Sequence, residues 1–342
     1  NPNPNPNPNP NPNPNPNPNP NPEPGLGFGL GHGWRLGLPA KKDPYRDVDA
    51  EGPDKIKILA EYLEKRWSNP ESEKLVNAYL DEVFRDVEVG EDGGLRVLEI
   101  GSGTGAFLRM LARRKEVNNV AGIEPSEGLV EVAKDLASRD NHLGTSDVKF
   151  TQKHAGGESN PFLVESFDVV FFHTTLMHIH PPQKRRRAVL EAARVLKQGG
   201  RLAVFDNDVP SWHFDLEEGD LLSQPLQSYA AAWLAKPKNA RHAVPSLLRN
   251  AGLEVAERDE DCWATISGPS TSDEGARGAL KEAVNYCVEH KLGISGEIGE
   301  AIMEIADDRF KDGSLGPKVT RRYAYCVAGK VIVGESAGWC DI

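Results

Sequence analysis

Apolar residues along the chain first follow a helical rhythm and then a strand rhythm. Ile56, Ile58, Leu59, Tyr62, Leu63 and Trp67 recur at spacings of three and four, which predicts a helix over 54–67. Leu75, Ala78, Tyr79, Leu80, Val83 and Phe84 repeat the pattern and predict a second over 72–85. After a loop containing Gly90, Gly93 and Gly94, short apolar runs alternate with amphipathic ones. Strands are predicted at 96–100, 120–123, from 148, at 167–172 and at 201–205. Helices are predicted at 104–114, 127–137 and 183–197, with Ser126 as an N-cap and Gly199-Gly200 as the stop after the last. Regular strand–helix alternation implies a parallel sheet covered on both faces.

The rhythm then changes. The stretch 207–240, with Trp212, Phe214, Tyr229 and Trp233, is too long for a plain connection. Its aromatics read as packing against the sheet or as the wall of an apolar substrate pocket. A helix at 241–252, a strand from Leu253 toward Ile266, helices at 274–290 and 296–309, and a last strand from Arg322 to Val333 complete the pattern. The expected fold is α/β: a doubly wound, Rossmann-like, mostly parallel sheet of seven strands, the last antiparallel, with helical cap additions.

Composition limits how much of the chain this fold can occupy. Residues 1–22 repeat Asn-Pro, and residues 25–39 are rich in Gly and Leu. Proline at every second position fixes φ and removes a donor, so 1–40 is expected to be a disordered tail. Residues 41–342 then form one domain, with N-terminal helices (41–90), a ligand-binding core (95–208) and substrate-side additions (209–342). The formal net charge of −11 argues against nucleic acid and against anionic lipid. Lys184-Arg185-Arg186-Arg187, the main basic cluster, reads as a solvated helix face. No apolar run is long enough to span a bilayer. Four cysteines without a C-x-x-C pair suggest a reducing, cytoplasmic setting. The first residue is Asn, which leaves room for an upstream targeting segment.

The candidate chemistry lies in Val97-Leu98-Glu99-Ile100-Gly101-Ser102-Gly103-Thr104-Gly105-Ala106-Phe107, a strand, a glycine turn and a helix start. Such a turn lies outside the carboxyl end of a parallel sheet, where ligands bind. Its glycines can take positive φ and let backbone approach a ligand, and the helix that follows offers unpaired N–H groups. Glu124, at the next strand tip, can accept both hydroxyls of a ribose. The same turn satisfies G-x-G-x-x-A, a dinucleotide pattern. Glu99 separates the two readings. A nicotinamide site has no evident use for this carboxylate, whereas S-adenosyl-L-methionine brings an ammonium group and a sulfonium.

The segment 97–107 resembles motif I of the class I S-adenosylmethionine-dependent methyltransferases. Gly122-Ile123-Glu124-Pro125-Ser126, Phe167-Asp168-Val169-Val170 through Leu176-Met177-His178-Ile179, and Arg194 to Leu202 resemble further segments of that family in the same order. The likeness spans roughly 95–208 and is greatest to the small-molecule branch related to ubiquinone and menaquinone biosynthesis. It implies S-adenosyl-L-methionine as cofactor and a small organic molecule as methyl acceptor. Glu99, Gly101, Ser102, Gly103 and Gly105 are then expected at the methionine end, with Glu124 and Pro125 at the ribose. His154-Ala155 replace the usual Asp-Ala or Asn-Ala by the adenine, so either the imidazole or the Ala155 N–H would meet the base. His178 falls in the family's Leu-x-His position, and His173 directly follows the fourth strand. Both are candidates for catalysis, and His173 also for cofactor contact. His180 reads as a loop residue, and Asp206 and Asp208 as turn or cleft residues. No metal is expected, although His173, His178 and His180 lie close together in sequence. Tyr45-Arg46-Asp47-Val48-Asp49 reads as a lid or a surface turn. A nicotinamide-dependent oxidoreductase and a non-catalytic binding protein are the alternative classes.

Overall fold

A computed structural model describes residues 45–331, apart from residue 46 and the stretches 68–69, 90–92, 144–146, 157–161, 215–219, 235–239, 256–263, 268–272 and 314–318. All the described residues belong to one compact unit, Asp43–Ile342. The expected disordered tail, 1–40, lies outside the described residues.

Two helices come first, α1 (Pro53–Trp67) and α2 (Pro70–Phe84). The alternation that follows is β1 (Leu95–Ile100), α3 (Ala106–Ala112), β2 (Val117–Glu124), α4 (Glu127–Arg139), β3 (Asp147–Gln152), β4 (Phe167–His173), α5 (Pro182–Val195) and β5 (Leu196–Phe214). Then come α6 (Ser223–Leu234), α7 (Ala240–Asn250), β6 (Glu254–Val255), β7 (Ala264–Ser267), α8 (Asp273–Glu289), α9 (Gly296–Asp312) and β8 (Val319–Gly329). Strand order along the sheet is β3-β2-β1-β4-β5-β8-β6. β1 to β5 pair in parallel, and β8 runs antiparallel to β5. This is the expected doubly wound, Rossmann-like α/β sheet, with seven strands along its path and β7 as an eighth, paired to β8 off that path.

Two local expectations change. β5 continues through Asp206 to Phe214 instead of ending at 205, because β8 pairs with it as far as His213↔Thr320 and Phe214↔Val319. The strand expected from Leu253 toward Ile266 is two short ones, β6 and β7, which pair with successive parts of β8. Both differences come from a partner far away in sequence, which local periodicity does not register.

Strand parity sorts the core into two layers. Val97, Val169, Phe171, Ala203 and Phe205 face α2 and α3, whereas Leu98, Ile100, Val170, Phe172, Leu202 and Val204 face α5 and α7. A third cluster joins α6, α8 and α9 through Leu222, Leu226, Leu280, Ala283 and Ile302. A fourth packs α1 on α4 through Val48, Leu59, Ala60 and Leu129. Tyr229 belongs to the third cluster and donates its hydroxyl to Glu282 at 2.9 Å, so it packs between helices. The side chains of Trp212, Phe214 and Trp233 lie outside the described residues. Among the described residues no helix is long and apolar enough to cross a membrane.

Candidate functional site

The site begins where β1 ends. Parity places Glu99 on the side of Val97, beneath α3, and its side chain is only 2% exposed. The chain then turns on Gly101, Gly103 and Gly105, with φ of 80°, 52° and 75°. The N–H groups of Gly101 and Ser102 both donate to the Ile123 carbonyl, at 2.8 and 3.1 Å, which ties the turn to the tip of β2. The positive φ values agree with the sequence expectation, but the close approach the glycines allow is to protein. A Cβ on Gly101 would collide with the Thr175 side chain, and one on Gly105 would lie 2.5 Å from the Phe150 ring.

Among the described residues, Glu99 Oε2 and the hydroxyls of Ser102 and Thr104 have no hydrogen-bond partner, and all three are buried. Buried polar atoms are normally satisfied. Three such oxygens around one turn fit a ligand that brings donors. Burial, and secondarily the Glu124 charge, pushes the Glu99 carboxyl well above the usual carboxylate range, against the pull of Arg109. An ammonium group at this point would supply the missing counter-charge.

Glu124 sits at the end of β2. Its Oε2 accepts from the Gly103 N–H at 3.0 Å and its Oε1 from the Ser126 N–H at 3.1 Å. Each carboxylate oxygen keeps a second lone pair. Burial raises this carboxyl from 4.5 to about 7, although the two N–H groups oppose it; the Asp49 charge adds to the rise. Ser126 caps α4 as expected, accepting from the Leu129 N–H at 3.1 Å. Pro125 is half-buried between them. Beyond β3, the Lys153 N–H donates to the Glu124 carbonyl at 2.9 Å, so the adjacent His154 lies on the same side of the sheet end. His154 is exposed, and Ala155 packs against the α5-side core.

Helix α1 forms one wall. Leu63 approaches Gly103, Glu64 accepts from Arg109 at 2.6 Å, and Arg66 meets the Thr174 hydroxyl at 3.5 Å. Arg109 also donates to the Thr104 carbonyl at 2.9 Å, so one guanidinium joins α1 to the glycine turn. No sequence motif marks Arg109 or α1 as part of the site, since both enter through packing.

His173 requires a correction. Expected at the site as a catalytic or cofactor contact, it is stacked between Phe107 (centroids 3.9 Å apart) and Phe205 (4.6 Å), with Trp67 also at 4.6 Å. Burial, reinforced by the Arg66 charge, holds its imidazole well below the usual range, so the ring is neutral. Parity explains the placement, because His173 shares its face with Val169 and Phe171 and that face is the aromatic layer under α2. Counting alternate residues along β4 would have found it. His178 instead lies in the 3-10 turn Leu176–His178, half-buried, with the Tyr45 ring against it at 4.6 Å. His180 is half-buried beyond this turn.

Parity likewise places Asp206 on the α5 side of β5, where it is buried. The basic cluster is also not uniform. Arg185 is buried, whereas its three neighbours are exposed. It senses the Asp206 charge and reaches the Met177 carbonyl at 3.5 Å. The Asp208 side chain lies outside the described residues.

With this geometry in view, comparison with known proteins fixes the class. A family model described as a methyltransferase domain matches residues 98–204. An O-methyltransferase of Aspergillus sclerotiorum, resE, is 24% identical over 267 residues, covering 78% of this chain and 88% of its own. The 27-O-demethylrifamycin SV methyltransferase of Amycolatopsis mediterranei is 36% identical, covering 56% of this chain and 66% of its own. The ubiquinone/menaquinone biosynthesis C-methyltransferase UbiE of Campylobacter jejuni is 29% identical over 117 residues, covering 33% of this chain and 44% of its own. The chain is a class I S-adenosylmethionine-dependent methyltransferase.

Proposed function

We propose that the chain methylates an oxygen of a small organic acceptor, with Glu99, the turn 101–105 and Glu124 holding the cofactor. The observation that carries this reading is the unpartnered, buried Oε2 of Glu99 beneath the glycine turn, with Glu124 on the next strand tip. When bound, S-adenosyl-L-methionine supplies a methyl group already activated on a sulfonium. Glu99 and the Ser102 and Thr104 hydroxyls bind and orient the ammonium end, and Glu124 accepts from the ribose hydroxyls beside Pro125. His154 and Ala155 border the adenine.

On this reading the ribose lies over β2 and the methionine end over β1, so along the order β2-β1-β4 the acceptor approaches over β4. His178, in the turn after β4, takes the acceptor hydroxyl proton as the oxygen attacks. Holding the two reactants in line supplies the remaining rate enhancement. Helix α1 and the α6, α8 and α9 layer enclose the acceptor, in keeping with a division into helices 41–90, core 95–208 and additions 209–342. An oxygen acceptor is favoured by the names of relatives such as resE. Among the described residues, Cys287 and Cys326 are buried and outside any disulfide, which suits a cytoplasmic setting.

Calorimetric titration tests the reading. S-adenosyl-L-homocysteine should bind saturably, and Glu99→Gln should weaken it. Saturable NAD binding without S-adenosyl-L-homocysteine binding would replace the proposal with the oxidoreductase alternative.

A further inference from the structure

The segment before α1 touches both halves of the site. Asp49 sits in the 3-10 turn Val48–Glu51 and covers the N-terminus of α4. Its Oδ1 accepts from the Ser126 hydroxyl at 2.6 Å and from the Gly128 N–H at 3.1 Å, and its Oδ2 accepts from the Glu127 N–H at 2.9 Å. Val48 is buried beside it against Leu59 and Leu129. Gly128 makes room for this contact, because a Cβ there would meet Ile56 and lie 3.1 Å from Asp49 Oδ1. The turn is bracketed by two residues of positive φ, Asp47 (φ 56°) and Gly52 (φ 93°). Just upstream, the Tyr45 ring meets the His178 ring at a centroid distance of 4.6 Å and an interplanar angle of 63°.

Asp49 is therefore anchored next to Glu124, on the cofactor side, while Tyr45 stands on the acceptor side. A ring contact of this edge-on kind restricts the plane of its partner. We propose that Tyr45 is a positioning residue for His178, and that Asp49, pinned at the N-terminus of α4, holds it there. The orientation of the acceptor-side imidazole then depends on an anchor beside the ribose carboxylate. This inference rests on the reading of His178 as the acceptor-side group.

The test follows the His178 ring by NMR in the full chain, with its signals assigned by their loss in His178→Gln. Tyr45→Ala should move these signals toward those of a free imidazole, by removing the ring current. Tyr45→Phe should leave them near the wild-type position, since the contact needs the ring and not the hydroxyl. Asp49→Ala touches neither ring, yet should move the signals in the same direction as Tyr45→Ala. If that variant does not fold, Asp49→Asn, which keeps one acceptor oxygen, should give a smaller shift of the same sign. Unmoved His178 signals in Tyr45→Ala, or in a folded Asp49 variant, overturn the proposal. S-adenosyl-L-homocysteine titrated into wild-type protein separates the two levels. Failure to bind removes the functional reading, whereas binding with unmoved His178 signals in the variants removes only the positioning role of Tyr45 and Asp49.

Discussion

Glu124 offers the sharpest test of the site's electrostatics. Its carboxyl is raised from 4.5 to about 7, chiefly by burial. Between these values the folded chain keeps a proton that the unfolded chain has lost. Stability attributable to this group is therefore full below pH 4.5, falls as pH rises, and levels off above about 7. At about 1.36 kcal/mol per pH unit, the loss is about 3 kcal/mol. Glu124→Gln cannot titrate and should not show it. Urea denaturation of both proteins at intervals from pH 5 to pH 8 reads the difference directly. Glu99 is present in both, so the difference reports Glu124 together with its repulsion of Glu99. The cofactor half of the prediction has the opposite sign. The ribose hydroxyls need an ionised acceptor, so wild-type affinity for S-adenosyl-L-homocysteine should rise about tenfold from pH 6 to pH 8, relative to Glu124→Gln. Parallel stability curves for the two proteins would refute the argument that burial controls this carboxyl.

Three further outcomes follow from individual contacts. Glu99→Gln removes a charge-assisted hydrogen bond to the cofactor's ammonium and should weaken S-adenosyl-L-homocysteine binding by about 10- to 100-fold, measured by calorimetry; an unchanged affinity would place the ammonium elsewhere. Gly105→Ala combines a φ of 75° with a 2.5 Å approach to Phe150 and should cost roughly 1–3 kcal/mol, whereas Gly93→Ala, at φ 79° with open space around it, should cost less. Comparing their denaturation midpoints separates backbone strain from collision. His173→Phe exchanges two unpartnered buried nitrogens for a ring that fits between Phe107 and Phe205, and should raise stability by up to about 1 kcal/mol. A stable His173→Phe protein that loses methyl transfer would return His173 to the catalytic group.

Much of this molecule is set by short-range rules. The spacing of Leu75, Tyr79, Leu80 and Val83 makes α2, and the apolar run from Phe167 makes a central β4. Glycines after Ile100 can only be a turn, and an acid before and after that turn gives the site its charge. Ser126 caps α4 because its hydroxyl reaches the third N–H onward, a purely local event. These features depend on residues a few positions apart, so sequence by itself determined them.

What lay beyond it depends on residues brought together across the sheet. β5 runs to Phe214 only because β8 pairs with it. His173 follows a strand that points at the site, yet its face belongs to the aromatic layer built by α2, α3 and β5. Arg185 lies within a run of exposed charges, and only the fold turns it inward toward Asp206. Tyr45 and His178 are separated by most of the cofactor-binding core, and no spacing rule connects them. Periodicity determines which face of an element is apolar. Only tertiary packing decides what that face meets, because burial and partner identity belong to the assembled layers rather than to any one segment.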